Sequence, residues 1–597
     1  MMKNVPARVT ALRALMALRK IDACIVPSAD PHQSEYVPEH WAYRKWISGF
    51  TGSAGTVIVT SRHAGLWTDA RYFLQAEREL AGTGIQLHKL LVQTQAEYVD
   101  WLCGQLKPGQ VVGCDFAAFS LSQVRMFGKL FEESQIVLRD TGDLIAEIWE
   151  EQPPLDGAPV YEHPRKWAGA SRGQKLRKLR ELVRKSGADG MLLSALDEIA
   201  YLLNLRGNDV RCNPVFVAYL AVFSDRAELF VPPGKVSAKL AALMESDGIL
   251  CRSYQEIDAL VSGLDPQTRM LIDPGTFNAR LAHMLPSGTS IELPSLVMLM
   301  KAVKSPVEQK HLRGVMVKDG VALVRAFIWL EKQLKKKKSV TEYDFAMQIA
   351  RFRSLQPHYV GESFDAIVGY RSNGAIIHYK PEAATAARIT ARGILLVDSG
   401  GQYFDGTTDI TRTIALSPQP LKIKKHYTAV LMGHIALAGA IFPEGTKGIQ
   451  LDALARQYLW QAGLNYGHGT GHGVGYFMNV HEPPQGFVTA WNQRGQTPFT
   501  SGMLTSNEPG YYEEGSHGIR IENLVLSIPH ESAKGAAFLR FDTVTLFPIE
   551  TSLLHLPMMN RPAVQWLNAY HKEVFRCLAP LLDAGERKWL KAKCKAI

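Results

Sequence analysis

Leucines at helical spacing, a short polar turn and an apolar run ending in Ser-Ala occur twice along the chain. The first copy is Leu12-Arg-Ala-Leu-Met-Ala-Leu-Arg-Lys-Ile-Asp-Ala-Cys-Ile-Val-Pro-Ser28-Ala. The second is Leu179-Arg-Glu-Leu-Val-Arg-Lys-Ser-Gly-Ala-Asp-Gly-Met-Leu-Leu-Ser194-Ala, ending 166 residues later. Each predicts an amphipathic helix followed by a buried strand. A pair at a fixed offset predicts two similar α/β domains in tandem, against chance likeness between two amphipathic helices. Apolar, β-branched runs follow in both, Gly55-Thr-Val-Ile-Val-Thr60 and Val215-Phe-Val-Ala-Tyr-Leu-Ala-Val-Phe223. Punctuation sets the boundaries: the proline-rich stretch from Gln152 to Pro164, and the segment 294–304. Beyond it, Ser305-Pro-Val-Glu308 reads as an N-cap, a first-turn proline and a capping-box glutamate opening a long helix. The expected domains are 1–155, 156–304 and 305–597, an α/β (α+β) architecture whose last unit ends in a C-terminal extension. The apolar stretch 427–442 is shorter than the ~20 residues that cross a bilayer, and reads as a buried helix.

Composition narrows the function classes. At 597 residues, with 46% hydrophobic and 21% charged side chains, the chain is ordinary globular protein with more than one core. Its net charge of +10 is spread over three clusters, at 172–185, 335–338 and 587–595, without zinc-finger spacing or an RNA-binding aromatic motif. These read as solvated helix faces and a basic tail, so no nucleic acid and no membrane partner is expected. Seven scattered cysteines without CxxC argue against a disulfide framework and for a reducing, cytoplasmic setting. The basic N-terminal segment, interrupted by Arg8, Arg13 and Arg19, reads as the first helix of the fold rather than a secretory signal.

The candidate chemistry lies in the third unit. Asp398 ends the apolar run Ile394-Leu-Leu-Val-Asp398, and Asp409 stands eleven residues on, in Gly406-Thr-Thr-Asp409-Ile-Thr411-Arg-Thr413. A period of two puts Asp409, Thr411 and Thr413 on one face, so the two carboxylates either converge from neighbouring strands or serve as turn formers. Gly467-His468-Gly-Thr-Gly-His472-Gly-Val-Gly475 holds five glycines in nine residues, a composition foreign to ordinary helix or strand, and presents two histidines; His481 follows closely. The absence of a GxxxxGK[ST] pattern and of lysine in this segment weighs against a phosphate loop. Glu508 precedes Pro-Gly. Arg520 and Glu522 share a face of Gly518-Ile-Arg-Ile-Glu-Asn, which alone would read as a structural ion pair. Together Asp398, Asp409, His472, Glu508 and Glu522 make four carboxylates and one imidazole, more negative charge than a buried site holds without cations. Oxygen-rich donors with one nitrogen and no sulfur favour Mn²⁺ or a similar ion over a cysteine-type zinc site, and five such side chains can hold two ions.

This order of residues, with HGTGHGVG, NEPGYY and GIRIEN, resembles the pita-bread metallopeptidases, which include methionine aminopeptidase, prolidase and aminopeptidase P. The likeness to the long Xaa-Pro aminopeptidases extends over nearly the whole chain. It takes in Trp46-Ile-Ser-Gly-Phe-Thr-Gly-Ser-Ala-Gly55, Leu66-Trp-Thr-Asp-Ala-Arg-Tyr-Phe-Leu-Gln75, Leu203-Asn-Leu-Arg-Gly-Asn-Asp-Val and Ala375-Ile-Ile-His378-Tyr. The resemblance implies a pita-bread catalytic domain, and a hydrolase that releases the first residue of peptides with proline second, through hydroxide held by two divalent ions, most readily Mn²⁺. Asp398 would bind one ion alone, Asp409 and Glu522 would bridge both, and His472 and Glu508 would complete the other. Glu508 would also shuttle a proton. His378, His468 and His481 would hold substrate and steady the tetrahedral intermediate, and Arg520 and Thr411 would orient a ligand carboxylate. A homodimer is implied as well. His517 departs from the family pattern, standing where an apolar or aromatic residue is expected. The alternatives are a prolidase restricted to Xaa-Pro dipeptides, a methionine aminopeptidase, and a relative that has lost catalysis and binds peptide or protein instead.

Overall fold

The structure, a computed structural model, describes residues 4–90, 96–155, 157–531, 535 and 537–597. Asp156, where the second domain is expected to open, and Met1 to Lys3 lie outside the described residues. The chain forms two compact units, Met1–His163 with Ala170–Val297, and Pro164–Gly169 with Met298–Ile597.

The duplication in the first unit is complete at the level of topology. The leucine-spaced helices are Val5–Leu18 and Arg172–Lys185, and the apolar runs behind them are the wholly buried strands Ala23–Val26 and Gly190–Leu193. Each strand is third-neighbour to the edge of a six-stranded sheet. In the first, Ala23–Val26 pairs antiparallel with Thr56–Thr60 and parallel with Val111–Cys114; in the second, Gly190–Leu193 pairs antiparallel with Tyr219–Phe223 and parallel with Met270–Ile272. The outer strands repeat the same directions in both sheets. Helices covering a mixed sheet leave its central strands dry, which is why these runs are apolar throughout instead of alternating.

The second unit opens on the helix Pro306–Lys335, with Ser305 and Glu308 exchanging the expected capping-box hydrogen bonds. Leu312, Val315, Val324 and Leu330 on this helix enter a large core shared with the strands that carry the candidate site. Those strands fall into two three-stranded sheets, a six-stranded sheet and a two-stranded hairpin. The apolar stretch 427–442 is mostly helix, but the helix Leu421–Ala438 stops at Gly439, and Ile441 and Phe442 belong to the strand Ile441–Pro443. Among the described residues, no helix is long and apolar enough to cross a membrane. All seven cysteines are free thiols.

Candidate metal centre

Four separate backbone segments bring the acidic residues together. Asp398 lies in the strand Ile394–Ser399, opposite Thr411 of the antiparallel strand Ile410–Ala415, and Asp409 stands immediately before that partner strand. Glu508 follows the strand Leu504–Asn507, and Glu522 sits between His517–Arg520 and Asn523–His530. The glycine-rich segment differs from expectation: Gly471–Gly473 is a strand, paired on both sides within the six-stranded sheet. A Cβ on Gly471 would overlap the Ser506 carbonyl oxygen, and one on Gly473 the Glu482 carbonyl oxygen. Glycine is therefore needed for close approach of backbones, and His472 between them is delivered into the sheet.

The site is compact. One donor atom each from Asp409, His472 and Glu522 lies within 4.8 Å of the other two. His472 Nε2 is 3.6 Å from Asp409 Oδ2 and 3.3 Å from Glu508 Oε1. His472 Nδ1 is 2.9 Å from the Gly473 carbonyl oxygen. That oxygen can only accept, so Nδ1 carries the proton and Nε2 offers its lone pair to the centre. Ser506 Oγ donates to Glu508 Oε1 at 3.2 Å. Asp398 takes Arg520 Nη2 on Oδ2 at 2.7 Å, while its buried Oδ1 has no hydrogen-bond partner. Burial raises the pKa of Asp398, and burial with repulsion from neighbouring carboxylates raises those of Asp409 and Glu522 well above the usual range. For Glu508, burial is outweighed by the hydrogen bond and charge of His472, and the group is held low. An orphaned carboxylate oxygen, buried carboxylates that repel one another and an imidazole nitrogen aimed among them suit a multivalent cation.

Around these donors runs a chain of hydrogen bonds. Arg520 Nη1 donates to Tyr512 Oη at 2.6 Å, and the Tyr512 hydroxyl meets His468 Nε2 at 2.8 Å. His468 Nδ1 lies 2.7 Å from the Gly469 carbonyl oxygen, so this ring also holds its proton on Nδ1. Burial lowers its pKa to about 4, leaving it neutral near pH 7. Thr411 Oγ1 donates to Glu522 Oε2 at 2.8 Å and accepts from Arg520 Nε at 3.3 Å. The expected shared face of Arg520 and Glu522 thus meets Thr411, but the arginine's ion pair is with Asp398. The His481 ring lies 4.3 Å from that of His472, nearly perpendicular. His378 is half-buried in a turn, next to Ile377, whose carbonyl accepts from Arg520 Nη2 at 3.4 Å.

Two supporting residues escaped the reading of the sequence. Nothing local to Gly-Tyr-Tyr marks Tyr512, yet its hydroxyl joins Arg520 to His468. Arg412 carries no local mark either, yet it is buried and its Nη1 holds the carbonyl oxygens of Thr411 and Glu522 at 2.9 and 2.6 Å. Tyr570, from the C-terminal helix Arg561–Leu578, accepts from Arg412 Nη2 at 2.8 Å.

Residues 310–527 match metallopeptidase family M24, and 537–597 match the C-terminal region of that family. Residues 8–148 and 151–308 each match the creatinase/prolidase N-terminal domain. The chain is 39% identical to aminopeptidase P2 of Arabidopsis thaliana, covering 96% of this chain and 85% of that one. It is 37% identical to Xaa-Pro aminopeptidase 1 of Dictyostelium discoideum, covering 99% and 96%. A crystal structure of an X-prolyl aminopeptidase from Caenorhabditis elegans, described as a cytosolic enzyme with a di-nuclear active site, superposes over 100% of both chains with a TM-score of 0.95 and 34% identity. Likeness at this identity over the full length, together with the buried donor set, places the chain in metallopeptidase family M24, in its long Xaa-Pro aminopeptidase branch.

Proposed function

We propose that this chain hydrolyses the bond between the first residue of a peptide and a proline in second position. Donor atoms of Asp409, His472 and Glu522 lie within 4.8 Å of one another, with Glu508 Oε1 3.3 Å from His472 Nε2, in a chain that parallels proteins named Xaa-Pro aminopeptidases along its whole length. That observation carries the reading. Asp398, Asp409, His472, Glu508 and Glu522 would hold two divalent ions. When bound, such a pair supplies Lewis acidity and an acidified water nucleophile. The protein's own groups do the rest. Glu508 takes the proton released by the attacking water and passes it to the proline nitrogen as the C–N bond breaks. Arg520, with Thr411 and Tyr512 on its other nitrogens, holds Asp398 in place. His378 and His481 contact the substrate backbone and the oxyanion, and neutral His468 borders the substrate while its Nε2 accepts from the Tyr512 hydroxyl.

Proline lacks an N–H and has a fixed φ, so selectivity comes from the shape of the pocket around its ring. Manganese as the ion, a homodimeric assembly and a cytosolic location belong to the same reading and rest on the family resemblance. In it, 1–155 and 156–304 are the duplicated domains and 305–597 is the catalytic domain. The test is a peptide panel: Xaa-Pro-Yaa tripeptides, the matching Xaa-Ala-Yaa peptides and Xaa-Pro dipeptides, with products identified by mass spectrometry. Cleavage of the first class well above the other two is expected. Preference for dipeptides would replace the reading by a prolidase, and no cleavage of any class would favour a binding relative.

A further inference from the structure

We propose that His426, Glu513 and His517 form a second metal site, separate from the acidic centre, that takes a single divalent ion of the zinc class. His426 lies on the helix Leu421–Ala438, whereas Glu513 and His517 face each other as cross-strand partners in the hairpin of Gly510–Glu513 and His517–Arg520. One donor atom from each of the three lies within 4.8 Å of the other two. His426 Nδ1 and His517 Nε2 are 3.2 Å apart. Two imidazole nitrogens on a tetrahedral zinc, each bound at about 2.0–2.1 Å, stand about 3.3 Å apart. The rings are therefore already at ligand spacing.

The surroundings have the form of a binding site. Both histidines are buried, and burial lowers the pKa of each, His517 to about 4, so both are the neutral imidazoles a metal requires. Ser516 Oγ sits 2.8 Å from His517 Nδ1, an outer hydrogen bond of the kind that fixes a ligand ring and leaves Nε2 for the ion. Glu513 Oε1 accepts from Lys422 Nζ, its buried Oε2 has no hydrogen-bond partner, and one of its carboxylate oxygens lies within 4.8 Å of a ring nitrogen of each histidine. Two imidazoles and one carboxylate suit Zn²⁺ or Co²⁺ better than Mg²⁺ or Ca²⁺, and leave a coordination position for water. An ion here would tie the hairpin to the helix. The same hairpin carries Tyr512 and Arg520, which hold His468 and Asp398, so occupancy would act on the acidic centre by positioning.

The full chain, stripped by chelator, is dialysed against Zn²⁺ and, in parallel, Co²⁺, alongside His517→Asn, Glu513→Gln and Lys422→Gln. Wild-type protein should retain one equivalent more than His517→Asn by elemental analysis, whatever the acidic centre holds. The extra Co²⁺ should add a visible band absent from that variant. Glu513→Gln, partly exposed and isosteric, should weaken this equivalent at least tenfold, and Lys422→Gln, which frees Oε1, should tighten it. If His517→Asn unfolds, Glu513→Gln decides. Equal metal content and equal Co²⁺ spectra in wild type and folded variants would overturn the proposal.

Discussion

Replacing Tyr512 by phenylalanine tests whether the hydrogen-bond chain around the acidic centre matters. The ring stays, so packing is kept, and only the hydroxyl between Arg520 Nη1 and His468 Nε2 is lost. A hydrogen bond to a charged group contributes about 1.5–3 kcal/mol and a neutral one about 0.5–1.5 kcal/mol, so the pair sets a loss of about 2–4.5 kcal/mol. Part of this is the penalty for leaving two buried polar groups unpaired. Arg520 keeps its bond to Asp398 but loses the restraint on its other nitrogen. Removing a partner that orients a ligand in this way typically lowers metal affinity or activity about 10–100-fold. Metal-stripped Tyr512→Phe should therefore unfold at lower denaturant than wild type. Titrated with Mn²⁺ by calorimetry, it should also bind at least tenfold more weakly. A variant that matches wild type in both measurements would refute the assignment of Arg520 and Tyr512 as one positioning unit.

Other expectations follow from single contacts. Gly471→Ala should destabilise by about 1–3 kcal/mol, because its Cβ overlaps the backbone oxygen of Ser506, and chemical unfolding would show it; wild-type stability would mean the strands can part freely. Ser305→Ala removes the cap of the helix Pro306–Lys335 and should cost about 1 kcal/mol in the same assay, with Ser305→Asp near wild type. Burial holds the His571 pKa at about 4, below its ordinary 6.5, so the unfolded chain protonates first. Its contribution to stability is intact above pH 6.5 and is lost as pH falls towards 4, at up to about 1.4 kcal/mol per pH unit. His571→Gln should flatten the stability–pH curve in that window, and an unchanged slope would contradict the assignment.

Much of the architecture could be read from local pattern because its signals are local. Helix-then-strand repeats marked the duplicated domains, and Ser305-Pro-Val-Glu308 announced its helix by chemistry confined to four residues. The five candidate residues stand out together, because four acids and a histidine gathered in one unit are more negative charge than a buried site holds without cations. What stayed hidden depends on contacts distant in sequence. Tyr512 reads as an ordinary strand aromatic until Arg520 and His468 are seen on its hydroxyl. Arg412 is held in part by Tyr570, from a helix 158 residues later. His426 and His517 are 91 residues apart, and only the packing of a helix on a hairpin makes them neighbours. The glycines at 471 and 473 are unusual in composition alone, but their presence in a strand depends on sheet neighbours that no local window contains.

The most direct test of the central claim is mass spectrometry of an Xaa-Pro-Yaa tripeptide incubated with metal-stripped protein, before and after Mn²⁺ is restored, with Asp409→Asn treated in the same way. Release of the first residue by the reloaded wild-type chain alone is the predicted result. An intact tripeptide after incubation with folded, metal-loaded wild-type protein would contradict the claim, and so would equal release by the stripped protein.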